Sequence, residues 1–279
     1  MGTIVDVKKI VEKKKEELKE RVELLKAKGI VPKLAVILAN DDEASRIYVG
    51  NKRRLCEALG VESVEYILNG DVTTEEVLKV VDELNADESV HGILVQLPLF
   101  KHLDENKIMM AIDSQKDVDG FHPSNLGKLL MRIPCTVACT PKGILTILQH
   151  IGVDLMGKDV TVIGRSVIVG KPVAHLLMNQ GATVTICHSK TKDLVKHTKE
   201  ADVLVVATGV PHLITADMVK SGAVVIDVGI NRIEGKVIGD VDTQLVAQVA
   251  SYVTPVPGGV GLTTVVSLLE NLIEIAEKK

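Results

Sequence analysis

Tryptophan is absent from this 279-residue sequence, and its only aromatic side chains are Tyr48, Tyr66, Tyr252, Phe100 and Phe121. Proteins that hold single-stranded nucleic acid by stacking bases need several rings on one surface, so that class is excluded. Positive charge is not in excess either. Lys and Arg number 33 against 37 Asp and Glu, a net charge of −4, so a phosphate backbone meets no basic footprint. No apolar run approaches the ~18 residues that indicate a membrane span. The four cysteines, Cys56, Cys135, Cys139 and Cys187, contain one C-x3-C pair but no second Cys or His pair. No zinc pattern results, and buried, reduced thiols are expected. The first residues enter a charged helix without an apolar signal core, and Asp6 stands where a myristoylation signal carries Ser or Thr. The expected setting is the cytoplasm.

What is present is an ordinary globular balance, 46% hydrophobic and 25% charged, with length for two domains of ~100–200 residues each. Val7, Val11, Leu18, Val22 and Leu25 recur at helical spacing, with Gly29 as a cap. The run Leu34–Leu38 reads as a buried strand, 45–59 as a helix ending at Gly60, and 63–68 as a strand. Thr73 and Glu76 form a capping box for a helix to about Asn85, and Gly92–Leu97 is a third strand stopped by Pro98. A helix over 104–112 precedes an irregular stretch, 116–134, expected to be an active-site loop. Thr140-Pro141 opens the next helix, to Ile151. Strands at 183–187, 203–207 and 223–227 follow with helices between, and 262–276 is a final helix. Strand and helix alternate in both halves, which predicts two α/β domains with mainly parallel sheets.

The clearest local signal is Thr161–Pro172, T-V-I-G-R-S-V-I-V-G-K-P. Gly164 breaks a buried strand, and Gly170 with Pro172 opens a helix to about Asn179. A strand, a glycine turn and a helix N-terminus offering unpaired N–H groups make a phosphate site. The spacing is not G-x-G-x-x-G, and by itself it fits a structural turn as well as a cofactor site. The next strand ends in His188-Ser189-Lys190, without the carboxylate that would accept from a ribose 2′-hydroxyl. Ser189, Lys190 and Arg165 offer donors and cations to a 2′-phosphate, which points to NADP.

Other constellations are individually bland. Tyr48 and Lys52 share a helix face, Gln96-Leu97-Pro98 lies at a strand tip, and Asp119-Gly120 is an ordinary turn pair. Thr208-Gly209, Asp227–Asn231 and Pro255–Gly261 sit after strands or in Gly/Pro-rich loops. Their order along the chain is what carries weight. Ser45-x-x-Tyr48-Val49-x-x-Lys52, Gly92–Leu99 (G-I-L-V-Q-L-P-L), Lys116–Asn125 (K-D-V-D-G-F-H-P-S-N), Gly164-Arg165-Ser166 with Val169-Gly170-x-Pro172, Asp227–Asn231 and Pro255–Gly261 closely resemble, in sequence, the bifunctional methylenetetrahydrofolate dehydrogenase/methenyltetrahydrofolate cyclohydrolase family over nearly the whole chain.

That resemblance implies an N-terminal three-layer α/β folate-binding domain, 1–139, on which a C-terminal helix (263–279) packs back, and a Rossmann-like NADP domain, 140–262. It assigns catalysis to Lys52, hydrogen-bonded by Gln96, with Tyr48 against the folate and Asp119 on the pterin's polar edge. Leu97, Pro257, Gly258 and Gly259 join the substrate site. Gly164, Arg165, Ser166, Gly170, Ser189, Thr208, Gly209 and Ile230 face the cofactor. It further implies a homodimer, small-molecule substrates, and a setting in one-carbon metabolism and purine biosynthesis. The family continues Pro-Met-Thr after Gly261; here the residues are Leu262, Thr263 and Thr264.

The chemistry so implied is oxidation of 5,10-methylenetetrahydrofolate to a methenyl cation, then hydrolysis to 10-formyltetrahydrofolate. Hydride transfer needs mainly proximity and orientation, whereas hydrolysis needs proton transfers. A free lysine with a pKa of about 10.4 is cationic and repels the product cation. Partial burial and the cationic substrate favour the neutral amine, able to act as a base. A dehydrogenase-only relative and a shikimate-dehydrogenase-like oxidoreductase are the competing readings, and a non-catalytic NADP sensor is a third. Lys52, Gln96 and Asp119 together speak against the first, and the ordered motifs against the second.

Overall fold

The computed structural model describes residues 2–279, with Ala44 described by its backbone alone. In chain order the elements are β1 (Thr3–Ile4), α1 (Val7–Ala27), β2 (Lys33–Leu38), α2 (Glu43–Leu59), β3 (Glu62–Ile67), α3 (Thr74–Ala86), β4 (Gly92–Gln96), α4 (Glu105–Ala111), α5 (Pro123–Leu130), α6 (Cys139–His150), β5 (Asp159–Ile163), α7 (Gly170–Asn179), β6 (Thr183–Cys187), α8 (Leu194–Glu200), β7 (Val203–Val206), β8 (Val224–Asp227), β9 (Asn231–Ile233), β10 (Lys236–Ile238), α9 (Thr243–Val246), β11 (Tyr252–Val253) and α10 (Val260–Ala276). They form two compact units, one of Lys14–Val137 with Leu268–Lys279, the other of residues up to Lys13 with Ala138–Ser267. No helix among the described residues is long and apolar enough to cross a membrane.

The first unit is built on a parallel sheet in the order β3-β2-β4. Leu34 to Leu38 are all buried, as expected of a strand covered on both faces. Ala35, Ile37, Val77, Val81, Leu84, Ile93 and Val95 pack in one core cluster beside the sheet. The capping box of α3 forms as read: the Thr73 N–H donates to Glu76 Oε2 (2.8 Å) and the Glu76 N–H to Thr73 Oγ1 (3.2 Å). One expectation fails. The stretch 116–134 is not wholly irregular but contains α5, begun by Pro123 at its first position and capped by His122 Nδ1, which accepts the Ser124 N–H at 3.1 Å. Proline there costs nothing, because its missing N–H would have no helical partner.

The second unit holds a six-stranded, all-parallel sheet in the order β1-β11-β8-β7-β5-β6. From β5 the chain steps to one side for β6 and then to the other for β7 and β8. The topological switch therefore falls between β5 and β7, where ligand crevices open in doubly wound sheets. Thr3–Ile4, read from sequence as part of the first domain, pairs instead with Tyr252–Val253 at this sheet's edge. A hairpin of β9 and β10, turned by Glu234 (φ 49°) and Gly235 (φ 77°), is unforeseen. Its strands are three residues long, too short for a period to show.

Candidate active site

In the first unit, Asp42 begins α2 by accepting the Ser45 N–H at 2.9 Å, and one turn on the helix presents Tyr48 and Lys52. Lys52 is half-buried, and its Nζ donates to Gln96 Oε1 at 2.9 Å. Gln96 ends β4, and its own Nε2 donates to the Leu97 carbonyl at 2.8 Å. That second bond fixes which end of the amide faces the amine: a neutral acceptor, not a carboxylate. Tyr48 is 44% exposed. Asn40, unnoticed in the sequence, ties the strand ends together: its Nδ2 donates to the Pro98 carbonyl at 2.6 Å and its Oδ1 accepts the Asp42 N–H at 3.0 Å.

Asp119 is delivered by a segment that runs parallel to β4. Ile93 and Asp117 form a parallel bridge, with the Ile93 N–H donating to Lys116 O at 2.8 Å. Both chains therefore leave in the same direction, β4 toward Gln96 and the segment toward Asp119. Asp117, almost fully buried, accepts the N–H groups of Gly120 (3.0 Å) and His122 (2.8 Å) and the side chain of Asn125 (2.9 Å). Asn271 on α10 donates to the Val118 and Val137 carbonyls, both at 2.8 Å. Lys116, the first residue of the same motif, turns away: its Nζ donates to the carbonyls of Leu84, Asn85 and Asp87 at 2.7–2.9 Å, closing the end of α3. Burial lowers its pKa.

In the second unit, a cavity of about 550 Å³ lies at the β5/β7 switch and is lined by Gly164, Arg165, Ser166, Ser189 and Thr208, with His188, Thr191 and the apolar Ile163, Leu194, Val210 and Leu213. Gly164 has φ 122°, and a Cβ there would strike the Ala207 carbonyl. No carboxylate lines the cavity, and Arg165 and Ser189 supply a cation and a hydroxyl, so the donor set fits an anionic dinucleotide. Lys190 is exposed and not among the lining residues.

The expected free donors at the start of α7 are not free. Ser166 Oγ accepts from Val169 (3.1 Å) and Gly170 (3.2 Å), the Ser166 carbonyl from Lys171 (3.0 Å), and the Val169 carbonyl from Val173 (2.9 Å). Pro172 has no N–H. Ser166 thus meets the Val169, Gly170 and Lys171 N–H groups through its hydroxyl and carbonyl. Gly170 packs against the Gly164 backbone, where no Cβ fits.

Gly209 donates its N–H to Asp240 Oδ2 at 2.9 Å, and Ile230 is 56% exposed. Ile230 lies beside Gly261, so the 227–231 and 255–261 loops meet. Gly258 has φ 95°, Gly259 is buried and Pro257 exposed. Where the motif departs from its family, the helix still starts cleanly: the Leu262 N–H donates to Gly259 O at 3.0 Å and Thr263 Oγ1 to Val260 O at 2.8 Å. Three cysteines are buried as expected, while Cys135 is half-buried; burial pushes the Cys56 thiol up to about 12, leaving it inert.

Two family models match the chain: tetrahydrofolate dehydrogenase/cyclohydrolase, catalytic domain, over residues 5–119, and tetrahydrofolate dehydrogenase/cyclohydrolase, NAD(P)-binding domain, over 138–279. The Bifunctional protein FolD of Aquifex aeolicus is 52% identical, across 100% of this chain and 97% of its own length. A crystal structure of the bifunctional methylenetetrahydrofolate dehydrogenase/cyclohydrolase FolD from Campylobacter jejuni superposes with a TM-score of 0.97 at 50% identity, over 100% of this chain and 99% of that one. The Trypanosoma brucei enzyme, solved with NADP cofactor and an inhibitor, gives a TM-score of 0.93 at 37% identity, over 99% and 98%.

Proposed function

Because the chain belongs to the tetrahydrofolate dehydrogenase/cyclohydrolase family, we infer that it oxidises 5,10-methylenetetrahydrofolate with NADP and hydrolyses the methenyl product to 10-formyltetrahydrofolate. The observation that carries the hydrolytic half is the 2.9 Å bond from Lys52 to Gln96. The amide oxygen fixes the position of the amine, and that bond itself brings no charge to it. Lys52 acts as the base toward water at the methenyl carbon. Gln96 orients it, Asp119 holds the pterin's polar edge, and Tyr48 and Leu97 flank the folate. Pro257, Gly258 and Gly259 complete the substrate site.

NADP, when bound, supplies the hydride acceptor. Arg165 and Ser189 hold its 2′-phosphate, Gly164, Ser166 and Gly170 form the turn beneath its phosphates, and Thr208, Gly209 and Ile230 approach the nicotinamide end. Folate binding is assigned to 1–139, without the edge strand Thr3–Ile4, together with the last helix, and NADP binding to 140–262. The enzyme works in the cytoplasm as a homodimer, which its mass by light scattering checks.

The test is a spectral time course from methylenetetrahydrofolate and NADP that follows NADPH and the methenyl product separately. Wild type forms NADPH while methenyl product stays low. Lys52→Met accumulates methenyl product and loses hydrolysis by about 10³-fold, in the range of a removed proton-transfer group. Gln96→Glu, which favours the ammonium form, moves the hydrolytic pH optimum upward. Normal methenyl turnover in Lys52→Met overturns the assignment.

A further inference from the structure

Two fully buried carboxylates lie beneath the cofactor-side loops, and neither lines the cavity. Asp240 Oδ2 accepts the Thr208 N–H (2.6 Å), the Thr208 hydroxyl (2.8 Å) and the Gly209 N–H (2.9 Å). Its other oxygen accepts Asn231 Nδ2 at 2.8 Å. Asp227 Oδ1 accepts the N–H groups of Gly229 and Asp240, and Oδ2 that of Val241, each at 3.0 Å. The Asp227 N–H in turn donates to Thr254 Oγ1 at 2.8 Å, one residue before the 255–261 loop. The fit is tight on both sides: a Cβ at Gly229 would overlap the Asp240 carboxyl, and one at Gly239 the Asp227 carboxyl.

We propose that Asp240, seated on Asp227, is the positioning residue for the nicotinamide end of the cofactor site. Its acceptors tie the Thr208–Gly209 turn to the 229–231 loop, so that both are set before a cofactor arrives. This rests on the NADP role proposed above. Both oxygens of the Asp240 carboxyl are used as acceptors, Oδ2 by Thr208 and Gly209 and Oδ1 by Asn231. An amide at position 240 keeps one acceptor for Thr208 and Gly209 and turns an NH2 toward the Asn231 NH2, where two donors face each other. Exchanging the pair restores a donor opposite an acceptor.

The experiment is NADP binding by calorimetry, together with kcat and KM of the oxidation and the rate of methenyltetrahydrofolate hydrolysis, which consumes no NADP. Asp240→Asn weakens NADP binding and raises its KM at least tenfold, with hydrolysis within twofold of wild type. Asp240→Asn combined with Asn231→Asp recovers most of that loss. Unchanged NADP affinity in folded Asp240→Asn overturns the proposal, as does a loss shared equally by hydrolysis. Should that variant fail to fold, Asn231→Ala decides: a threefold or greater loss of NADP affinity at wild-type hydrolysis supports the proposal, and unchanged affinity overturns it. Failure of the function itself looks different. Wild type would then bind NADP without oxidising methylenetetrahydrofolate, while the binding arm still reads Asp240.

Discussion

Lys52 stands on a helix and Gln96 at a strand end, whereas Thr208, Gly209 and Ile230 stand on loops whose hold comes from carboxylates underneath. In the first unit a regular element aims a side chain, and one side-chain hydrogen bond finishes the aim. In the second, backbone shape is the working part, and side chains such as Ser166, Asp227 and Asp240 are spent on holding it. The two arrangements should therefore break differently: the first by changing a functional group, the second by changing a glycine or a buried acceptor.

Glycines give the largest contrast. Gly164→Ala places a Cβ at φ 122° against the Ala207 carbonyl, so β5 and β7 must part at the switch. Positive-φ strain and overlap with backbone together cost about 4 kcal/mol, and NADP affinity falls about a hundredfold. In the first unit Gly127, inside α5, meets nothing within 4 Å of an added Cβ. Gly127→Ala should stabilise by about 0.5–1 kcal/mol through the ordinary helix preference. Urea unfolding and NADP titration of both variants check the pair, and equal effects would remove the distinction between the units.

The same difference explains what could be read in advance. Buried runs such as Leu34–Leu38, the Thr73–Glu76 cap and the strand at 183–187 declare themselves by period and spacing, and they stand in the structure as read. Lys52, Gln96 and Asp119 are functional groups whose residue types carry their own chemistry. Asp240 gave no such sign, because its partners are backbone N–H groups and its neighbour in space, Thr208, lies 32 residues away. Asn271 escaped notice for a similar reason, serving carbonyls more than 130 residues away in sequence. Ser166 drew notice for its place beside the glycine; what could not be read is that its hydroxyl also accepts the Val169 and Gly170 N–H groups.

A second contrast concerns pH. Burial pushes the Asp227 carboxyl up to about 6 from 3.8, with the neighbouring Asp240 charge acting the same way. The folded protein thus binds this proton more readily than the unfolded chain. Its contribution is fully present below pH about 3.8 and lost as pH rises through about 6, the reverse of a salt-bridged carboxylate. The span amounts to about 3 kcal/mol. Comparing urea unfolding of wild type with Asp227→Asn from pH 4 to 8, wild type should lose ground to the variant as pH rises and level off above 7. Loss of ground as pH falls would show that its three N–H donors outweigh its burial.

The smallest effect belongs to the departure from the family motif. Leu262 occupies the first turn of α10, is 37% exposed, and donates its N–H to Gly259 O at 3.0 Å. Proline, the family's residue, gives up that bond, worth about 1 kcal/mol. It returns a similar amount by restricting the unfolded chain, and a helix tolerates it in the first turn. Leu262→Pro should therefore change stability by less than about 1 kcal/mol and leave folate KM within twofold, because the helix entry is already held by Thr263 Oγ1 on the Val260 carbonyl at 2.8 Å. A larger shift in KM with stability unchanged would mean that residue 262 shapes the Pro255–Gly261 loop itself, and the folate side of that loop would then depend on backbone shape as strongly as the cofactor turns do.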